Sequence, residues 1–166
     1  MDMQTEQAVW RRVKGPGSMT AEEAVLPERL EALLIQELAT ISFLRLLSGK
    51  MRGQASTALF QIVKKTENRT RELTAMHFLM TGRTLRIKTP PVSVPDSISD
   101  ALRVACLRMK QTAKSYEGLS AEFANSAEDF SRYVRQTQEQ AGTLLGLLRN
   151  QLPRLTGTQK NGFTVK

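Results

Sequence analysis

The sequence predicts an all-α protein: a four-helix bundle with one long crossover between its second and third helices, and a short helix at the N-terminus. Three observations carry this expectation. Apolar residues recur at helical spacing in four separate stretches. Only 5% of residues are aromatic, and Ala, Leu, Met, Gln, Arg and Glu are plentiful, which favours helices over sheets. The stretch from Arg83 to Pro95 holds Pro90, Pro91 and Pro95, too long and too proline-rich for a turn between adjacent helices.

At 166 residues the chain suits one domain built on a single core. We divide it into an N-terminal segment (1–27), the bundle (28–152) and a flexible basic tail (153–166). Thr5 to Lys14 is a short amphipathic piece with Val9, Trp10 and Val13 on one side, ended by Gly15-Pro16-Gly17. Thr20 to Glu23 has capping-box spacing, and Pro27 suits the first turn of helix one, which is expected to reach Ser48. Gly49 and Gly53 bracket a tight connection, so the first two helices should be antiparallel neighbours. Helix two should run from Gln54 to Met80 and stop at Gly82, a residue suited to a left-handed terminus. Ser97 to Asp100 opens helix three, expected to reach Phe123. Ser126 to Asp129 opens helix four, which Pro153 ends.

Each helix carries an apolar seam. They read Leu30, Leu33, Glu37, Ile41, Leu44; then Leu59, Val63, Glu67, Thr70, Leu73; then Leu102, Ala105, Met109, Thr112, Tyr116; and Val134, Gln138, Ala141, Leu145, Leu148. A carboxylate on a core-facing seam is costly without a partner or a metal. A carboxylate-bridged di-metal centre would need a Glu from one helix of each hairpin and a Glu-x-x-His pair from the other. Hairpin one offers Glu37, and Glu67 followed by Thr70 instead of His. Hairpin two offers Met109, then Gln138 and Ala141, or Glu139 and Gly142 in a register shifted by one. The candidate metal ligands are therefore Glu37, Glu67 and Glu139, with iron or manganese at low occupancy. Alternatively, the carboxylates pair with an arginine such as Arg108. His77, the single histidine, lies two turns beyond Thr70 and misses the ligand position, and Glu72 is read as exposed.

The layout resembles the rubrerythrin-like branch of the ferritin-like superfamily, and more narrowly small ferritin-like proteins of Gram-positive, often anaerobic, bacteria. Gln7 to Val13, Glu37-Leu38-Ala39, Glu67 to Thr70 running on to Leu79-Met80-Thr81-Gly82-Arg83, and Ala101 to Tyr116 carry the resemblance. It spans Thr5 to Leu152 through short motifs. It implies a ferritin-like bundle, di-iron chemistry on peroxide or iron, and pairing of bundles into homodimers or with another protein. The chain departs from the family at both His positions and at least one Glu position, and its lone Cys106 excludes a four-cysteine rubredoxin module. Those departures argue against peroxidase and ferroxidase activity.

Cys106 also excludes an intrachain disulfide, is compatible with a reducing cytoplasm, and is read as an inert buried thiol. No apolar run reaches membrane-spanning length. Net charge is +8, which favours acidic partners, yet no aromatic-and-basic nucleic-acid motif accompanies it. Three function classes stand: a bundle without redox chemistry serving as a structural or interaction module, a residual metalloprotein, and a basic nucleic-acid-binding helical protein. No serine triad, phosphate loop or cysteine-rich metal spacing suggests an enzyme class.

Overall fold

The computed structural model describes residues 21–151, with side chains from residue 25 onward. The short helix expected at Thr5 to Lys14 and the tail 153–166 lie outside the described residues. Within them the fold is all-helical: α1 (Ala21–Lys50), α2 (Gly53–Thr81), α3 (Ile98–Glu122), a 3-10 turn (Ala124–Ser126) and α4 (Ala127–Gln151).

Helix α1 begins earlier than expected and runs straight through Pro27. A proline inside a helix costs about 3 kcal/mol, since it lacks a donor and crowds the preceding turn. Leu26 and Leu30 flank it and are both buried. Burying two leucines contributes roughly 3–6 kcal/mol, enough to hold this turn helical against the proline.

The α1–α2 connection is only Met51 and Arg52, closed by Gly53 at φ +62°. Helix α2 ends at Gly82, φ +68°, whose N–H donates to the Phe78 carbonyl at 2.7 Å. The Ser97 hydroxyl caps α3 by accepting from the Asp100 N–H at 3.3 Å. The Gly82 terminator and the Ser97 cap fall where the sequence places them, whereas α1 runs on through Gly49 to Lys50 and leaves a shorter connection than expected.

The core divides into two apolar clusters, and their membership gives the direction of every helix. A lower cluster holds Leu44 and Leu47 of α1, Leu59 and Ile62 of α2, Leu102 and Met109 of α3, and Leu144 and Leu148 of α4. An upper cluster holds Leu26 and Leu30, Leu73, Tyr116 and Leu119, and Phe130 and Tyr133. Thus α1 and α4 descend while α2 and α3 ascend. Each helix packs against two antiparallel neighbours: α1 with α2, α3 with α4, α1 with α3, and α2 with α4.

The crossover must therefore return from the upper end to the lower. Leu85 and Ile87 pack against the upper cluster, then Val92, Val94 and Ile98 against the lower. The chain is strapped along the whole bundle in this way. Ala39 and Phe43, far round α1 from Glu37, are buried too, Phe43 beneath the Arg108 guanidinium of α3, and Lys50 of α1 holds the far end of the strap by donating to the Pro95 carbonyl at 3.3 Å.

The α1 and α3 seams hold, α2 keeps its apolar positions but turns Arg69 inward and Glu67 to the flank, and the α4 seam is rotated. On α4, Gln138 and Leu145 are exposed, and Phe130, Tyr133, Thr137, Gln140 and Leu144 face inward instead. The aromatics decide this register, because burying Phe130 and Tyr133 outweighs exposing one leucine.

Replacing Gly82 with Ala would force a Cβ into the left-handed region and should lower the free energy of unfolding by about 1–2 kcal/mol. Urea denaturation followed by circular dichroism measures it, and an unchanged midpoint would contradict the left-handed terminus.

Candidate functional site

Between the two apolar clusters lies a layer of buried polar side chains drawn from all four helices. Its centre is Glu37 of α1, fully buried. Arg69 of α2 grips it with both arms of its guanidinium, Nε to Oε1 at 2.5 Å and Nη2 to Oε2 at 3.0 Å. The Tyr116 hydroxyl of α3 donates to Oε1 at 2.6 Å. The third arm of Arg69, Nη1, donates to Gln140 Oε1 of α4 at 3.3 Å. Gln140 in turn donates through Nε2 to Thr66 Oγ1 and the Ile62 carbonyl, both at 3.5 Å. The Arg69 guanidinium also stacks over the Tyr116 ring, 5.6 Å from its centroid.

Threonines complete the layer without leaving stranded hydroxyls. Thr40, Thr66, Thr112 and Thr137 each donate to the carbonyl four residues back on their own helix. Thr112 also accepts from Gln36 Nε2 at 3.0 Å, tying α3 to α1. The layer is thus hydrogen-bonded throughout, as burial of polar groups requires.

The electrostatics follow from this closure. Burial alone would lower the pKa of Arg69, but Glu37 and Tyr116 outweigh it and hold the guanidinium above its ordinary value. Burial pushes the Tyr116 phenol well up, and the neighbouring Glu37 charge adds to this against the opposing pull of Arg69. Tyr133, the other tyrosine, donates to Glu72 Oε2 at 2.6 Å, and burial followed by that bond raises its pKa as well. Glu72 is exposed, as the sequence suggests, and it also bonds Arg132 at 3.0 Å across the α2–α4 seam.

The candidate metal ligands are not brought together. Glu37 is committed to Arg69 and Tyr116. Glu67 lies on the α1–α2 flank, paired with Arg45 and with Lys64 at 3.8 Å. Glu139 is exposed on α4, lining a shallow groove with Lys65 of α2. Thr70 is buried and donates to the Glu67 carbonyl, Met109 and Ala141 are apolar core, and Gln138 sits outside, bonding Glu117 at 3.4 Å. Among the described residues no three His, Cys, Asp or Glu group as a metal site would need.

A di-metal centre does not fit this core. Its essential carboxylate already has both oxygens engaged, and a guanidinium supplies the positive charge that a cation would bring. Arginine pairing does occur, but through Arg69 and Arg45 in place of Arg108, whose guanidinium lies over the Phe43 ring at 5.1 Å.

His77 is a satisfied core histidine: Nε2 meets Glu31 Oε1 at 2.9 Å, and Nδ1 meets the Thr81 hydroxyl at 3.4 Å. Cys106 is buried and its thiol pKa is pushed up by burial, with Lys110 pulling the other way. That makes it a poor nucleophile at neutral pH.

No family model matches the chain, and no curated protein or solved structure matches it either.

Removing one member of the central pair should cost more than removing both. Glu37→Ala leaves a buried, unpaired guanidinium and should destabilise by about 3–5 kcal/mol, whereas Glu37→Met with Arg69→Met leaves only the neutral Tyr116 hydroxyl and Gln140 oxygen unpaired and should cost about 1–3 kcal/mol. Equal losses in the single and double variants, measured by denaturant unfolding, would argue against a buried pair.

Alkaline titration gives an independent check, because both tyrosines of the chain are raised in the folded state. An unfolded tyrosine ionises near pH 10. Below that pH both states bind the phenolic protons and stability is unaffected. Above it only the unfolded state releases them, so stability falls as pH rises. Tyrosinate absorbance should appear together with loss of helical circular dichroism, well above pH 10. Ionisation near the ordinary value with helix intact would contradict the buried placement of both rings.

Proposed function

We propose that this chain is a ferritin-like, rubrerythrin-like bundle without redox chemistry, acting through its surface as a structural or interaction module. The observation that carries this reading is the closed Glu37–Arg69–Tyr116–Gln140 network. It occupies the middle of the bundle, level with the positions where the family resemblance implies bridging ligands, and its carboxylate and guanidinium neutralise each other within a hydrogen-bonded layer. The antiparallel neighbours and the full-length crossover support the ferritin-like part of the reading, since that connectivity separates such bundles from simple up-down-up-down ones.

A buried ion pair of this kind suits structure better than catalysis. Its carboxylate has no free oxygen to accept a proton or hold a substrate, and its tyrosine is held neutral at physiological pH. Among the described residues no helix is long and apolar enough to cross a membrane. Among the described residues, that leaves the outer face of the bundle as the working surface.

Elemental analysis of untagged protein, grown with added iron and manganese, tests the proposal. Metal far below stoichiometric, and unchanged in the Glu67→Ala, Glu139→Ala variant, is the expected result. Stoichiometric iron or manganese that this variant loses would overturn it. Both substituted residues lie outside the central network, so that variant keeps the fold.

A further inference from the structure

We propose that the groove between α3 and α4 is a docking site for an acidic amphipathic helix of a partner protein. This rests on the reading that the surface is the working part of the molecule, and names the partner chemistry that one face selects.

The groove is a concavity of about 440 Å³ along the outer side of the second hairpin. Its floor is made by Cys106 and Ala113 of α3 and Ala141 and Gly142 of α4. From Cys106 to Glu117 it follows eleven residue steps of α3, roughly 16 Å or three helical turns. A rod that long presents apolar side chains at positions i, i+4 and i+7, the pattern of a helix laid in a groove. Leu107 and Leu145 are the exposed large apolar residues of α3 and α4, at 60% and 40%. Leu145 lines the groove, and Leu107 stands one turn from Lys110 on its rim.

Gly142 gives a second reason. It lies in the interior of α4, where glycine costs a helix about 1 kcal/mol relative to alanine. A Cβ placed there would meet nothing within 4 Å. No packing inside the described chain uses the missing side chain, whose effect is to keep the middle of the groove open.

Charge then chooses the occupant. Lys110 and Lys114 line the α3 wall, and Arg135 and Arg149 continue the α4 face three to four residues beyond Gln138 and Leu145. None of these four cations forms an ion pair among the described residues. The one acid lining the groove, Glu117, accepts from Gln138. A second copy would set this basic face against itself. The segment Thr5 to Lys14 of the same chain brings Arg11, Arg12 and Lys14 against a single acid, Glu6, so its net charge is again of like sign. An apolar floor gives a phosphate backbone nothing to bind, and a planar bilayer cannot enter a three-turn concavity. An apolar stripe flanked by Glu or Asp satisfies both the floor and the rim.

The test uses the full chain and a fluorescein-labelled synthetic peptide, a helix with leucines at i, i+4, i+7 and i+11 flanked by glutamates. Two controls accompany it: the same composition scrambled, and lysine in place of each glutamate. Fluorescence anisotropy should show saturable binding of the acidic helix, weakening as salt rises, and at least about tenfold weaker binding of both controls. Gly142→Leu, which fills the groove, should weaken binding about tenfold or more while its unfolding midpoint stays at or above that of the parent. Lys110→Glu with Lys114→Glu should do the same through charge. Equal binding of the scrambled or lysine peptide, or binding indifferent to both variants, would sink the proposal. So would self-association in sedimentation, or binding to anionic vesicles, that Gly142→Leu abolishes while leaving peptide binding intact. None of these outcomes depends on metal content, so the groove and the metal-free core stand or fall separately.

Discussion

Burying the Glu37–Arg69 pair removes two full charges from water, at several kcal/mol per ion after relaxation. That cost is offset only when every remaining donor and acceptor is met, and the bundle meets them by calling on all four helices. Tyr116 brings α3 to the carboxylate, and Gln140 brings α4 to the guanidinium. The positions of the hairpins relative to one another are therefore fixed by hydrogen bonds a few tenths of an ångström wide in tolerance. Sliding either hairpin by one helical turn, about 5.4 Å, would carry its polar member out of reach and strand a charge in the core.

The apolar clusters above and below that layer play a different part. They supply the bulk of the driving force, but leucine packing tolerates rearrangement at small cost. The upper cluster is richer in rings, with Tyr116, Phe130 and Tyr133 in mutual contact at centroid distances of 5.2 to 6.5 Å. Tyr116 belongs to both systems: its ring packs upward and its hydroxyl points into the polar layer. One residue thus couples apolar burial to charge neutralisation, and the α3 helix transmits each to the other.

Much of this was legible in the sequence, and the failures share a cause. Terminators such as Gly82 and the Ser97 cap are local chemistry, so they read directly. The α1 and α3 seams also read correctly, since a wide apolar stripe leaves one choice of phase. On α2 two phases one residue apart both join Leu59 to Leu73. One passes through Val63 and Glu67, the other through Ile62, Thr66 and Arg69. Looking for carboxylate ligands favours the first, and the structure takes the second for its polar centre. An arginine in phase with Ile62 and Leu73, opposite a seam glutamate, was the available signal. On α4 the pairing of Gln140 with Arg69 spans 71 residues, and no periodicity within one helix announces it. The groove lay hidden for a similar reason, since its open centre depends on which side of α4 turns outward.

The crossover has a consequence for how copies of the chain relate to one another. Residues 82–97 run the height of the bundle, roughly 40 Å, and touch it through a thin line of Leu85, Ile87, Val92 and Val94. A strap long enough to span its own bundle is long enough to reach a neighbour's. Released from α1, it would let the α1–α2 hairpin of one molecule close on the α3–α4 hairpin of another. Every hydrogen bond of the polar layer would be rebuilt unchanged in such an exchanged pair. Reciprocal exchange therefore requires no new interface, only a concentration high enough to favour the partner's hairpin over the tethered one.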